Sequence, residues 1–190
     1  SARDQFETLL VGQASIWNGW LIGFSMSFLL FLSVLFHELA HSFVAMGEGL
    51  KVKDITLFFL GGIANLEKEC PTSKGSLKIA ISGPIVSLLL AFLMIALSNI
   101  LLGSSLILAD LFKMVGRLNL LIGLFNLLPI IPLDGGVILK SLIWYFTGSK
   151  RAGIKVAIAS ARFISLLAIS VGVIILFNGN FYVAFCYLII

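Results

Sequence analysis

Charged residues are scarce in this sequence. Asp, Glu, Lys and Arg make up only 12% of its 190 residues, whereas soluble domains carry about 25%. Hydrophobic residues make up 59% of the chain. A soluble domain of this size could not bury so much apolar surface. The composition therefore excludes an ordinary soluble protein and indicates an integral, multi-pass membrane protein.

Cysteine is also rare, because Cys70 and Cys186 are the only two. They lie far apart and have no metal-ligand spacing, so we interpret them as free thiols and expect no disulfide framework. The net charge is +4, but the basic residues fall in short loops between apolar segments. We therefore expect a lipid bilayer around the chain and no nucleic-acid partner.

Histidine occurs only twice, in the sequence His37-Glu38-Leu39-Ala40-His41. Four residues make just over one turn of an α-helix, so both imidazoles lie on one face and can bind one metal ion. Glu38 lies beside them, where it could take a proton from water. This is the zinc-hydrolase pattern, and it ends the charge-free apolar run 21–36.

Long apolar segments predict an all-α polytopic helical bundle rather than a barrel. The predicted spans are residues 16–46, 77–102, 106–128 and 154–177, and residues 181–190 look like the start of another. The segment 55–60 is too short to span as a helix and predicts a membrane-associated strand or hairpin. Pro and Gly residues between 129 and 136 predict a broken helix. Residues 67–78 and 147–153 are predicted loops.

The loop charges predict the topology. Lysines and arginines cluster after the first span and before the last, while the connection 103–105 is uncharged. Both basic loops should share one side of the membrane, which the positive-inside rule makes cytosolic. His37 and His41 then lie a turn or two below that surface.

A zinc site needs a third protein ligand, and no histidine remains. Asp134 is the best candidate, because it follows the third predicted span at the depth of the histidines. An ionised carboxylate in an apolar setting is costly unless it is paired or bound to metal. The alternative is that Asp134 only caps the helix that follows.

Taken together, these motifs resemble the site-2 proteases, which are intramembrane zinc metalloproteases, and look most like their prokaryotic and chloroplast branch. The resemblance is carried by His37 to His41, the turn at Gly61-Gly62, the segment from Ser82 to Ser87, and the segment from Asn126 to Gly136. It implies one Zn²⁺ per chain, bound by His37, His41 and Asp134, with Glu38 as the base and Asn126 binding substrate or the oxyanion. On this basis residues 1–190 form one transmembrane metalloprotease core domain, which we expect to be truncated at both ends.

Several alternatives stay open at this point. Gly83 and Ser87 form a small-residue pair, and we prefer close helix packing as its explanation. Asn119 is best explained by an interhelical hydrogen bond. Arg117 has no assigned role.

For function, the prediction is cleavage of single-span membrane proteins near the cytosolic or stromal side, with Gly61 and Gly62 helping to hold extended substrate. A zinc transporter or channel is the alternative, and the oligomeric state is open.

Overall fold

The computed structural model describes residues 16–58, 61–66 and 69–177. This part of the chain forms five helices and one pair of strands. In chain order the elements are α1 (Ile16–Gly47), β1 (Val52–Phe58), β2 (Gly61–Leu66), α2 (Ser73–Leu101), α3 (Leu106–Asn126), α4 (Asp134–Thr147) and α5 (Lys150–Phe177). The span expected from residue 181 lies outside the described residues.

Three helices within the described residues, α1, α2 and α5, are long and apolar enough to cross a membrane. The prediction of a multi-pass, mostly helical membrane protein is therefore confirmed. Helix α3 has 21 residues but carries Asp110, Lys113 and Arg117, so it is not among the three. A membrane-spanning role for α3 stays a prediction. Helix α4, with 14 residues, is about 21 Å long and too short to span.

Two of the predicted loops are partly helical. Helix α2 begins at Ser73 because Thr72 caps it, its hydroxyl accepting a 3.1 Å hydrogen bond from the Gly75 amide. Helix α4 ends at Thr147, and its C-cap is Gly148, whose φ of 69° suits glycine and whose N–H donates to the carbonyl of Trp144. Helix α5 then starts at once. The predicted basic loop 147–153 is thus mostly the first turn of α5.

Helix α2 lies at the centre of the bundle and packs against α1, α3 and α4. Its approach to α3 is close where α3 has a glycine. A Cβ on Gly116 would lie 2.8 Å from Cγ1 of Ile95 and 3.1 Å from the Ala91 carbonyl oxygen. Helix α5 packs on α4. Side chains from α1 and α4 therefore approach each other across the same face of α2.

Strands β1 and β2 form an antiparallel hairpin directly after α1. Thr56 pairs with Ile63 and Leu57 with Gly62, and the register is irregular between Val52 and Asp54. Both strands contact α1. The hairpin occupies the β-prone segment seen in the sequence, while its association with the membrane stays a prediction.

Ion pairs join the segments that carry the lysines. Lys78 Nζ lies 2.7 Å from Glu48 Oε1, and Lys150 pairs with Glu69. The hydrogen bond from Lys150 lowers the pKa of the Glu69 carboxyl, and the charge of Lys150 adds to this effect. Because Glu69 belongs to the first basic segment and Lys150 to the second, both segments lie at one end of the bundle.

Candidate metal centre

The two histidines of α1 converge as their helical spacing predicts. Their Nε2 atoms are 3.2 Å apart, and the rings meet edge to face with centroids 4.9 Å apart. His37 is buried, at 4% exposure. The last third of α1 therefore places two imidazole nitrogens at one point inside the bundle.

Asp134 brings a carboxylate to the same point from a distant part of the chain. Its Oδ2 lies 3.1 Å from Nε2 of His37 and 3.3 Å from Nε2 of His41. Helix α4 begins at Asp134 itself, and its N-cap, Leu133, makes no side-chain capping bond. The idea that Asp134 serves only as a helix cap is therefore wrong, because its side chain is directed to the histidines.

The backbone before α4 explains how Asp134 reaches this position. Helix α3 ends at Asn126, and the chain then folds back closely on the start of α4. A Cβ on Gly135 would lie 2.2 Å from the Leu128 carbonyl oxygen, and one on Gly136 would lie 2.6 Å from the Ile130 carbonyl carbon. Only glycine fits at both positions, so the Gly135-Gly136 pair allows the tight turn that presents Asp134.

Helix α2 supplies the other side of the site. His37 Nδ1 lies 2.9 Å from the Ser87 hydroxyl, and His41 Nδ1 lies 2.7 Å from the Ile79 carbonyl oxygen. Gly83 lies between these two contacts. A Cβ there would be 2.3 Å from Nε2 of His41 and 2.6 Å from Nε2 of His37. The preferred explanation of Gly83 and Ser87 as a helix-packing pair was therefore incomplete, because both contact the histidines.

This arrangement fits a divalent metal ion. The ligand atoms of His37, His41 and Asp134 all lie within 4.8 Å of one another. Since each Nδ1 already has a partner on α2, both Nε2 atoms are left facing the carboxylate. Two imidazoles and one carboxylate make the donor set of a catalytic zinc site, which keeps one position open.

The structure also locates the other predicted site residues. Glu38 follows His37 on α1 and is buried, at 7% exposure. Asn126 is the half-buried last residue of α3. Gly61 and Gly62 lie in β2. Their catalytic and substrate-binding roles stay predictions.

A second buried polar contact lies one turn before His37. Asn119 Nδ2 donates a 2.9 Å hydrogen bond to the Ser33 hydroxyl on α1, and Asn119 is fully buried. The predicted interhelical hydrogen bond of Asn119 is confirmed. It ties α3 to the segment of α1 that carries the histidines.

Fold and site together define a class: multi-pass membrane proteins whose apolar helices enclose the donor set of a zinc hydrolase. The sequence model of Peptidase family M50 matches residues 25–109 and 103–170, so most of the chain is covered. The chain belongs to this family, the site-2 proteases.

Comparison with individual relatives gives the same family assignment. A Synechocystis protein whose name describes a zinc metalloprotease is 42% identical over 153 residues, covering 80% of this chain and 40% of the relative. A zinc metalloprotease of Methanocaldococcus jannaschii is 36% identical over 138 residues, covering 73% and 40%. The chain thus spans about two fifths of these relatives' length. The solved structure of the site-2 protease from Methanocaldococcus jannaschii is 32% identical, with a TM-score of 0.62 covering 95% of this chain and 78% of that one.

Proposed function

We propose that this chain is the core of an intramembrane zinc metalloprotease that cleaves membrane-spanning segments of other proteins. The observation that carries the proposal is the convergence of His37, His41 and Asp134 inside an apolar bundle, with Glu38 on the same helix turn. Membership of Peptidase family M50 supports the same activity. The histidine-bearing part of α1 leads to the lysine-bearing end of the bundle, where Glu48 pairs with Lys78, and we assign this end to the cytosolic or stromal side.

The residues divide the chemistry between them. His37, His41 and Asp134 would hold one zinc ion, which would polarise the scissile carbonyl and make a water molecule more acidic. Glu38, beside His37, would act as the base that takes a proton from attacking water and passes it to the leaving amine. Asn126 would donate a hydrogen bond to the oxyanion.

Substrate must be held in extended form, because a helix shields its own carbonyl groups. The β1–β2 hairpin follows the histidine-bearing helix and has two strands, so each strand has one edge that no other strand among the described residues pairs with. We propose that one of these edges pairs with substrate and that Gly61 and Gly62 allow its approach.

A proline at Thr56, Phe58 or Ala64, tested singly, should in at least one case slow cleavage while zinc binding stays normal. Normal cleavage by all three variants would assign substrate binding elsewhere.

The transporter alternative uses the same ligands but is not supported by the comparisons. The relatives described above are named as proteases. A carboxylate beside the first ligand, as at Glu38, is also unnecessary for carrying zinc.

The division of roles gives a direct test. Glu38→Gln should abolish cleavage of a model transmembrane substrate in detergent or liposomes, while metal analysis still finds zinc. Replacing His37, His41 or Asp134 by Ala should remove both zinc and cleavage, because each change removes a ligand. Substantial cleavage by Glu38→Gln would refute the assignment of Glu38 as the base, and zinc bound as tightly by Asp134→Ala would refute the ligand set.

A further inference from the structure

Helix α2 places an acceptor at Nδ1 of each imidazole, on the side of the ring away from the carboxylate. A histidine that binds metal through Nε2 must carry its proton on Nδ1, and an acceptor at Nδ1 fixes that tautomer and the ring orientation. The Ser87 hydroxyl occupies this position for His37 at 2.9 Å, and the Ile79 carbonyl does so for His41 at 2.7 Å.

We propose that α2 is a second half of the metal centre, in which Ser87 is the positioning residue for His37 and Gly83 provides the space where the two Nε2 atoms meet. The inference rests on the proposed zinc site. It adds residues that do not touch the metal but set how tightly it is bound.

The Ser87 hydroxyl is well placed for this role. Ser87 is 1% exposed, so water cannot easily replace its hydroxyl at Nδ1. Helix α3 packs closely against this residue, since a Cβ on Gly123 would lie only 3.3 Å from the Ser87 Cβ. A larger residue at position 123 would push Ser87 and, through it, the His37 ring.

The two histidines differ in how they depend on side chains. His41 is held by a backbone carbonyl, which no substitution at Ile79 removes. Ser82 lies 3.4 Å from His41 Nδ1, but its hydroxyl donates to that same Ile79 carbonyl at 2.7 Å. His37 has a side-chain hydroxyl instead. The orientation of the His37 ring therefore depends on one side-chain atom, the hydroxyl oxygen of Ser87.

The test is the affinity of the purified chain for Zn²⁺ alone, measured by chelator competition in the Glu38→Gln background so that no cleavage occurs. Ser87→Ala should weaken zinc binding by about 10- to 100-fold, the usual effect of losing such a partner. It should also shift the visible spectrum of the Co²⁺-loaded protein, because the His37 ring reorients. Retention of the parent affinity and spectrum by folded Ser87→Ala would overturn the proposal.

Ser98→Ala is the matched control. Ser98 lies on the same helix and is equally buried, at 1% exposure, but it is 11 residues and about 16 Å farther along the axis. The zinc affinity of Ser98→Ala should stay within about twofold of that of the parent protein, because this variant loses a buried hydroxyl that does not contact either histidine. An equal loss of affinity in both variants would assign the Ser87 effect to packing alone and refute the positioning role.

Gly83→Ala is a second variant, in case Ser87→Ala does not fold. The new methyl group would occupy the space between the Nε2 atoms, while alanine is favourable for the helix itself. Helix content should hold, some thermal stability should be lost because the methyl group displaces the imidazoles, and zinc binding should be lost. Unchanged zinc binding would refute the assigned role of Gly83. Failure of the parent protein to bind zinc would instead refute the proposed function, so the two failures can be told apart.

Discussion

The two halves of α1 have similar apolar sequences but very different surroundings. Between residues 19 and 32 every side chain is half-buried or exposed, with Trp20 at 73% and Phe24 at 71%. In the half from Ser33 onward the buried positions include Ser33, His37, Glu38 and Ser42. Hydrophobicity therefore does not locate the packed part of this helix, whereas buried polar residues such as Ser33 and His37 do, because each has a hydrogen-bond partner on another helix.

The largest expected effect concerns membrane orientation, because the two ends of α1 should lie at opposite surfaces of the membrane. The second half ends where Glu48 pairs with Lys78, and the first half points toward the uncharged connection between α2 and α3. In a cysteine-free variant, a cysteine at Lys74 should react with an impermeant thiol reagent from the cytosolic side only. One at Ser104 should react from the opposite side only. Labelling of both from the same side would refute the proposed orientation.

A smaller effect should separate two serines of α1 that make the same local bond. Ser27 and Ser33 each donate to the carbonyl four residues earlier, but only Ser33 also accepts from Asn119 on α3. Ser33→Ala should lower the free energy of unfolding by about 1 kcal/mol, since it leaves the buried Asn119 amide with one partner fewer. Ser27→Ala should change it by less than about 0.5 kcal/mol.

Both values can be measured by reversible unfolding in mixed micelles. Equal destabilisation by the two variants would mean that the contact to Asn119 contributes nothing, and that the contrast between the halves of α1 is not energetic.

Much of the site could be predicted from local sequence. The spacing of His37 and His41 is a helix-turn property, and Asp134 stood out as an acid in an apolar stretch. The contribution of α2 could not be predicted, because Gly83 and Ser87 are the same small residues that ordinary helix packing uses. Only the fold shows that these two positions also contact imidazoles.

Helix boundaries show the same limit. Nearby lysines make residues 67–78 resemble a loop and hide the capping signal of Thr72. Gly148 ends α4 with a left-handed residue, so the chain needs only two residues before α5. The caps at Thr72 and Gly148 are single-residue signals, and the surrounding lysines and arginines favour a loop over a helix boundary in the sequence.

The distance along the chain between the ligands has a consequence for assembly. His37 and Asp134 are separated by 97 residues, whereas α2 and α3 are joined by only residues 102–105. Closing the α2–α3 hairpin costs little loop entropy, so the hairpin can form early in folding, with Ser87 already beside Gly123. The contact between His37 and Asp134 closes a much longer loop. An ion bound there would stabilise the packing of α1 against α4 in the folded protein, and its removal by a chelator would weaken that packing.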